Sequence, residues 1–326
     1  MTGDRLVLRS KIPAADAGMT LLDFLARRFR YHDRAGWEAR IARGDVEVDG
    51  VRADPWLRLR RGMVVSYASN HREPDVPDVI PVVYESPDLL AVDKPAGLPV
   101  HADGVFIRHT LVHMLRRTIP GVQPVHRLDR ETSGVLLLGK HPAAAKAMQT
   151  HFQRGVVAKT YMAVVRGVPA EDEVTLTGAI GPAPGSRIAL RRAVVPPDAP
   201  GARPATTTVR VVRRGPGTSL VEVRPSGGRT HQIRVHLAAF GHPLLGDILY
   251  GRSDDEYLAW VRHVKAGGDP RLWPGRDAPR HMLHAARLEL PGFDGEPLVV
   301  AAPLPADMRA LCPEEGSASG SDAPAP

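Results

Sequence analysis

The stretch His126-Arg127-Leu128-Asp129-Arg130-Glu131-Thr132-Ser133-Gly134 sets charged and polar side chains directly before the apolar run Val135-Leu136-Leu137-Leu138. A run that is continuous in apolar residues, rather than alternating, reads as a central strand. Ser133-Gly134 reads as a tight turn into it. Asp129 is then a carboxylate on a short loop anchored by a rigid strand, the kind of place where catalytic groups are carried. A carboxylate so placed can act as a nucleophile and later as a leaving group. On residue types alone, the commoner outcome of such a stretch is a surface turn with solvated ion pairs.

Three further stretches frame this one: Lys94-Pro95-Ala96-Gly97-Leu98-Pro99-Val100-His101; Lys159-Thr160-Tyr161, followed by Ala163-Val164-Val165-Arg166-Gly167; and Gly228-Arg229-Thr230-His231-Gln232-Ile233-Arg234-Val235-His236-Leu237, followed by Gly241-His242-Pro243-Leu244 and Gly246-Asp247. In this order, over roughly residues 80 to 300, the four stretches resemble the motifs of the RluA-type pseudouridine synthases. The His-Arg-Leu-Asp, two variable residues, Thr-Ser-Gly motif is matched in full.

The resemblance implies an α+β catalytic fold: a mixed, largely antiparallel sheet flanked by helices, with the active cleft across it. It also implies a reaction. The bond from ribose to the uracil nitrogen breaks, the base turns, and ribose is rejoined through a ring carbon. No atoms are gained or lost, so no cofactor and no metal is expected. Asp129 is the implied nucleophile. A carboxylate in a cleft needs a cation to stay ionised and oriented, and Arg229 is the family-matched partner, with Arg234 as the alternative. Arg234 on residue type is equally a helix-surface ion pair. Tyr161 offers a ring to stack on the target base and a phenol for proton handling. Arg127 is the implied substitute for a base flipped out of a stem. His126 either contacts RNA phosphate or satisfies the loop backbone. Lys94, His101 and Lys159 read as cleft-edge or phosphate-contact residues, and Leu237 as a candidate for the aliphatic side chain under the uracil.

The elements that must position these groups follow from periodicity. From Thr20, Leu21, Leu22, Leu25 and Phe29 recur at helical spacing, and a second helix is predicted over 36–43 with Gly44 as its stop. Asp45 to Val51 alternates around an Asp-Gly turn and predicts a hairpin. Two small helices feeding a β-ribbon resemble the S-four-like RNA-binding domain over about residues 18 to 70. The Ser-Arg pair that commonly opens its second helix is missing, and Tyr31-His32-Asp33-Arg34 stands nearby. A generic basic helical cap is the competing reading. Residues 70–79 are polar with two prolines and predict a linker. Beyond it a strand is predicted around Leu89–Val92, helices over 109–117, 142–154 and 230–240, and strands over 157–165, 219–224, 284–290 and 298–301. The Pro-rich 194–204 reads as a mobile loop, and 252–280 as a charged insertion with one amphipathic piece, Tyr257 to Val264. The expected organisation is an N-terminal RNA-binding module over 1–72, a catalytic domain over 73–312 and a disordered tail over 313–326.

Composition fits this reading. A chain of 326 residues with 43% hydrophobic residues suits a buried core in two domains. The formal net charge of +7 suits a polyanion partner. The one cysteine, Cys312, excludes a disulfide framework and a cysteine-based zinc site, as expected for a cytoplasmic protein. No apolar run approaches a membrane span, and a monomer is expected. There is no Gly-rich phosphate loop, dinucleotide fingerprint, zinc-protease helix or Ser/His/Asp elbow. His231 and His236 lack an acidic cluster that would make them metal ligands. The expected partner is large-subunit ribosomal RNA, with transfer RNA as the alternative. The rival from another class is a non-catalytic RNA-binding or ribosome-assembly protein on the same fold, but a binder needs none of Asp129, Tyr161 and Arg229 together.

Overall fold

The computed structural model describes residues 6–29, 32–69, 73–103 and 105–311. The predicted tail, Cys312, Tyr31 and the first part of the predicted linker lie outside them. The chain divides into two compact units, Met1–Glu73 and Pro74–Pro326.

The first unit runs β1 (Leu6–Lys11), α1 (Leu21–Arg28), α2 (Arg34–Ala42), β2 (Val46–Val48), β3 (Val51–Arg52) and β4 (Val64–Ser69). Its strands form one antiparallel sheet in the order β1-β4-β2-β3. Helix α1 begins where the Thr20 side chain accepts the Asp23 N–H, and its Leu21, Leu22, Phe24 and Leu25 pack on Trp37 and Ile41 of α2. Helix α2 starts two residues earlier than predicted, because the Asp33 carboxylate accepts the Gly36 N–H at 2.8 Å and caps it. Asp49 (φ 51°) and Gly50 (φ 81°) both take the left-handed conformation that a two-residue hairpin turn demands.

The second unit runs β5 (Val82–Glu85), β6 (Leu89–Lys94), α3 (Leu111–Leu115), β7 (Gln123–Pro124), β8 (Ser133–Gly139), α4 (Pro142–Arg154), β9 (Ala158–Arg166), β10 (Glu173–Pro182), β11 (Arg192–Val195), β12 (Arg203–Arg214), β13 (Thr218–Ser226), α5 (Gln232–Ala239), α6 (Asp254–Lys265), β14 (Leu283–Pro291), β15 (Pro297–Ala301) and α7 (Ala306–Leu311). The sheet order is β11-β10-β12-β13-β9-β14-β8-β6-β5, with β15 paired to β14 and β7 to β8. Among the described residues every pairing is antiparallel except β8 with β14. The class is α+β.

Strand β8 is apolar throughout because both its faces are covered. Val135 and Leu137 pack on Ala144, Ala145 and Met148 of α4, while Leu136 and Leu138 pack with Leu90, Val92, Leu98 and Leu111. Gly134 opens the strand at φ 108°, and a Cβ there would stand 2.2 Å from the Ala285 carbonyl oxygen, so only glycine lets β8 and β14 approach this closely. Helix α4 has Pro142 in its first turn and Gly155 (φ 73°) as its left-handed stop, as predicted.

Several boundaries differ from the sequence reading for local reasons. Helix α5 begins at Gln232 rather than Thr230, because His231 is itself left-handed (φ 58°). Helix α3 shortens to Leu111–Leu115, capped by Thr110. Helix α6 begins before Tyr257 because Ser253 and Glu256 form a capping box. The Pro-rich 194–204 is partly strand, and its remainder turns through the Ala199 N–H on Pro196 and the Ala202 N–H on Ala199. Among the described residues no helix is long and apolar enough to cross a membrane, and no His/Cys/Asp/Glu cluster is set to hold a metal.

Candidate active site

Asp129 lies on the loop between β7 and β8, and the loop is held at each of its next four residues. The Arg130 carbonyl accepts from the Gly97 N–H at 2.8 Å and from Lys94 Nζ at 3.0 Å. The Glu131 carboxylate takes Arg276 Nη2 at 2.6 Å and the His281 N–H at 3.1 Å. Thr132 Oγ1 meets His281 Nε2 at 2.7 Å, and Ser133 Oγ meets His284 Nδ1 at 2.9 Å. Arg280 ties the same loop to α7, donating to the Glu131 carbonyl at 3.2 Å and pairing with Asp307 at 2.7 Å. Leu128, buried, anchors the loop from the other side.

The Asp129 side chain keeps 26% of its surface open and meets Arg234 Nη1 through Oδ2 at 2.9 Å. Arg234 spends the rest of its guanidinium on Asp247, with Nε to Oδ2 at 2.7 Å and Nη2 to Oδ1 at 2.8 Å. That two-pronged grip fixes the plane of the guanidinium. Asp247 is fully buried and also accepts the backbone N–H groups of Leu249 (2.8 Å) and Tyr250 (3.1 Å). Burial raises the pKa of Asp247, but Arg234 and these donors outweigh it and hold the carboxyl far below its ordinary value. The outcome is a buried carboxylate–guanidinium–carboxylate chain whose outer end is Asp129. Burial also pushes Asp129 up, yet Arg234, His231 and His281 bring it down to about 2, so the group is ionised at every physiological pH.

Tyr161, on β9, is half-buried, and burial together with the Asp129 charge raises its phenol well above the usual value. It is a neutral donor, poorly suited to act as a phenolate. His231 Nε2 stands 3.8 Å from Asp129 Oδ2, while its Nδ1 meets Tyr250 Oη at 2.7 Å. Tyr250 Oη accepts the Arg192 N–H at 3.2 Å. Burial and Arg234 bring His231 down to about 4, so the imidazole beside the carboxylate is neutral.

Two of the predicted roles change in the structure. Arg229 is not the partner of Asp129: it is exposed and its Nε donates to the Pro204 carbonyl at 3.2 Å. The left-handed His231 delays α5, which leaves Arg229 before the helix and puts Arg234, the alternative, in its first turn against the loop. Lys94 is not a cleft-edge phosphate contact. It is fully buried, and its Nζ donates to the carbonyls of Pro95 (2.8 Å), Leu98 (2.9 Å) and Arg130 (3.0 Å). Burial pushes it down to about 7, but three carbonyls need three N–H groups, so this geometry belongs to the ammonium. For His126 the structure takes the backbone alternative: Nε2 accepts the Leu137 N–H at 3.0 Å, the ring stacks on Phe152, and burial brings it down to about 3.

Arg127 is exposed, and among the described residues no hydrogen bond or ion pair holds its guanidinium. Its charge acts on His101 and His231, which places it at the cleft beside Asp129. Lys159 sits two residues before Tyr161, donates to the Gly227 carbonyl, and is brought down to about 8 by burial and by Arg229. Leu237 is buried in the cluster that Tyr161 packs against. Tyr250, Arg276, Arg280 and His281 were not singled out from the sequence, and Asp247 entered only as the end of the fourth motif stretch, Gly246-Asp247, with no role assigned to it.

A family model described as RNA pseudouridylate synthase matches residues 88–239. Ribosomal large subunit pseudouridine synthase D of Xanthomonas campestris is 33% identical over 321 residues, which is 94% of this chain and 92% of that one. The chain belongs to the RluA-type RNA pseudouridine synthases. It is also similar to the mitochondrial tRNA pseudouridine(32) synthase of Saccharomyces cerevisiae, at 34% identity over 76% of this chain and 53% of that protein. Among solved structures, human RNA pseudouridylate synthase domain containing 1 matches with a TM-score of 0.55 at 31% identity, covering 71% of this chain and 86% of that one. In this synthase the matched segment ends at residue 239, whereas Arg276, Arg280 and His281, which hold the Asp129 loop, and Asp247, which holds Arg234, all lie beyond it.

Proposed function

We propose that this pseudouridine synthase modifies large-subunit ribosomal RNA as a cytoplasmic monomer, with Asp129 as the nucleophile, Arg234 as its orienting cation and Tyr161 beneath the target base. The observation that carries the chemistry is the Asp129–Arg234 contact at 2.9 Å in a partly open setting: a carboxylate kept ionised, aimed and reachable. Tyr161 stays a neutral phenol, so it serves as a stacking surface and proton donor rather than as a base. The ribosomal target is supported by the near end-to-end match to a large-subunit enzyme, which includes the first unit. The tRNA-named relative matches over a smaller share of both chains. We further propose that the first unit is an S-four-like RNA-binding module, because its two helices carry Arg27, Arg28, Arg34 and Arg40, with Arg43 closing the second, on a separate compact body. Mapping pseudouridines in total RNA from a deletion strain tests the target. Loss of one or more sites in large-subunit ribosomal RNA is the expected result, and loss confined to transfer RNA overturns it.

Arg127, exposed beside Asp129, fits the place a base leaves when it flips out. Arg127→Ala is therefore expected to slow reaction on a structured stem-loop about tenfold or more beyond its effect on a short unstructured uridine oligomer. Unstacking costs a few kcal/mol only in the former. Single-turnover rates on the two substrates give the comparison, and equal losses would remove the stacking role.

A further inference from the structure

Among the described residues only Asp49, in its hairpin turn, and His231 combine a Cβ with a positive φ. That backbone region is unfavourable for any residue but glycine, and it persists at functional sites where the surroundings impose it. His231 stands at the N-cap of α5, yet its side chain caps none of the helix N–H groups. Its ring is turned to the nucleophile instead. Nε2 lies 3.8 Å from Asp129 Oδ2, and both side chains keep part of their surface open. At that distance Nε2 does not hydrogen-bond the carboxylate.

Donor and acceptor counts place the proton of this imidazole. Tyr250 is buried among Ile180, Ile188, Val235 and Leu249. Its Oη accepts the Arg192 N–H at 3.2 Å and lies 2.7 Å from His231 Nδ1. Burial raises the phenol to about 12, so it keeps its proton. Among the described residues Nδ1 is the one acceptor at hand for that proton, and a buried hydroxyl left without an acceptor is costly. The phenol therefore donates to Nδ1, and the imidazole proton sits on Nε2, facing the cleft beside Asp129. The Tyr250 ring is itself held by the Arg234 guanidinium, 5.0 Å from its centre.

We infer that His231, locked in its Nε2–H form by Tyr250, is a catalytic residue that donates a hydrogen bond to the target uracil as its bond to ribose breaks. Whichever atom Asp129 attacks, the electron pair of the N1–C1′ bond stays with the ring. The charge spreads over N1, O2 and O4 until C5 closes on C1′ and Asp129 is released. No proton leaves His231 in this step. Burial and Arg234 bring its imidazole down to about 4, so the donor is neutral. A fixed neutral donor of this kind stabilises developing charge without rearranging. The assignment rests on the reading of Asp129 as the nucleophile and adds to that site a group that acts on the base.

Single-turnover rates and RNA affinity of the full-length protein test this for His231→Asn, His231→Gln, Tyr250→Phe and Asp129→Asn. The substrate is an RNA fragment spanning a site mapped in the deletion strain, carrying uridine or 5-fluorouridine there, and loss of the starting nucleoside is scored. Asn tolerates the left-handed backbone but is too short to reach the base. His231→Asn should lower the rate on uridine about 100-fold with affinity unchanged, the cost of removing one such donor. His231→Gln, whose amide N–H reaches near the Nε2 position, should recover most of the loss, and Tyr250→Phe should show a smaller one. A fluorinated ring accepts the departing charge more readily, so 5-fluorouridine should shrink the His231→Asn defect to about tenfold. A His231→Asn rate near wild type, or an equal loss on both substrates, overturns the assignment while an inactive Asp129→Asn keeps the nucleophile in place. If His231→Asn does not fold, Tyr250→Phe decides: a defect relieved by 5-fluorouridine is expected, and no defect or an equal one overturns it. If Asp129→Asn is active, the nucleophile reading fails and the role of His231 fails with it.

Discussion

Asp129→Asn abolishes pseudouridine formation while leaving the fold and RNA affinity in place. The amide keeps the shape of the carboxylate and an oxygen for Arg234 Nη1, which now donates at 2.9 Å. It removes the charge that the proposed covalent step requires. Loss of a nucleophile typically costs at least about 10⁴-fold, and among the described residues no other carboxylate shares the partly open position of Asp129. Asp247 is fully buried behind Arg234, and Glu131 is turned to Arg276 and His281. RNA binding rests mainly on basic groups elsewhere and should persist. Because Asp129 is held at about 2, wild-type activity should show no acid limb from this group between about pH 4 and 8. Pseudouridine yield in single turnovers with saturating enzyme reads the outcome. A folded Asp129→Asn protein that converts uridine near the wild-type rate would sink the nucleophile assignment.

The largest effect on stability belongs to Arg234. Arg234→Met removes the cation between two carboxylates and leaves Asp247, fully buried, without its counter-charge. Breaking a buried ion pair from one side costs roughly 3–5 kcal/mol, and activity should fall with it as Asp129 loses its orientation. The pH dependence should also reverse. In the wild type both carboxyls sit below their unfolded value of about 4. Their stabilisation is therefore present above pH 4 and lost as pH falls through the folded value, about 2 for Asp129. Without Arg234, the burial of Asp247 is opposed chiefly by its backbone donors, and its carboxyl is expected to rise above its ordinary value. The folded state then binds more protons than the unfolded one, and stability falls as pH rises through 4 to 6. Urea unfolding of both proteins at several pH values measures the two slopes. Arg229→Ala is the control: its guanidinium meets only the Pro204 carbonyl among the described contacts, so changes of no more than a few-fold in rate are expected. A steep loss in Arg229→Ala with little change in Arg234→Met would return the role to Arg229.

The contrast between these arginines shows what the chain reveals locally. Strand β8 was legible because a sheet centre covered on both faces needs Val135 to Leu138 apolar without a break. Helix α4 was legible from Pro142 and Gly155. The Arg229 and Arg234 assignment turned on the backbone of one intervening residue, His231, whose left-handed φ no residue type announces. Lys94 misled because a lysine before a Pro-Ala-Gly turn looks exposed. Only the folded loop supplies the three carbonyls that make its burial tolerable. Glu131 and Arg276 are 145 residues apart, and no periodicity connects them. The local fold and the candidate carboxylate can be read along the chain, whereas the shell that aims this carboxylate is written in contacts between distant segments.

The place of β14 carries a consequence for how the two halves of the site are joined. Leu283–Pro291 follows β8 and β9 by more than a hundred residues, yet the strand lies between them in the middle of the sheet. One half of the sheet ends at β8, next to the Asp129 loop, and the other ends at β9, on which α5 packs through Ile233 and Leu237. Asp129 and Arg234, in contact at 2.9 Å, therefore come from opposite sides of a seam that β14 alone fills among the described strands. A chain cut before residue 283 would hold all four motif stretches but not the strand that joins the two halves carrying this pair.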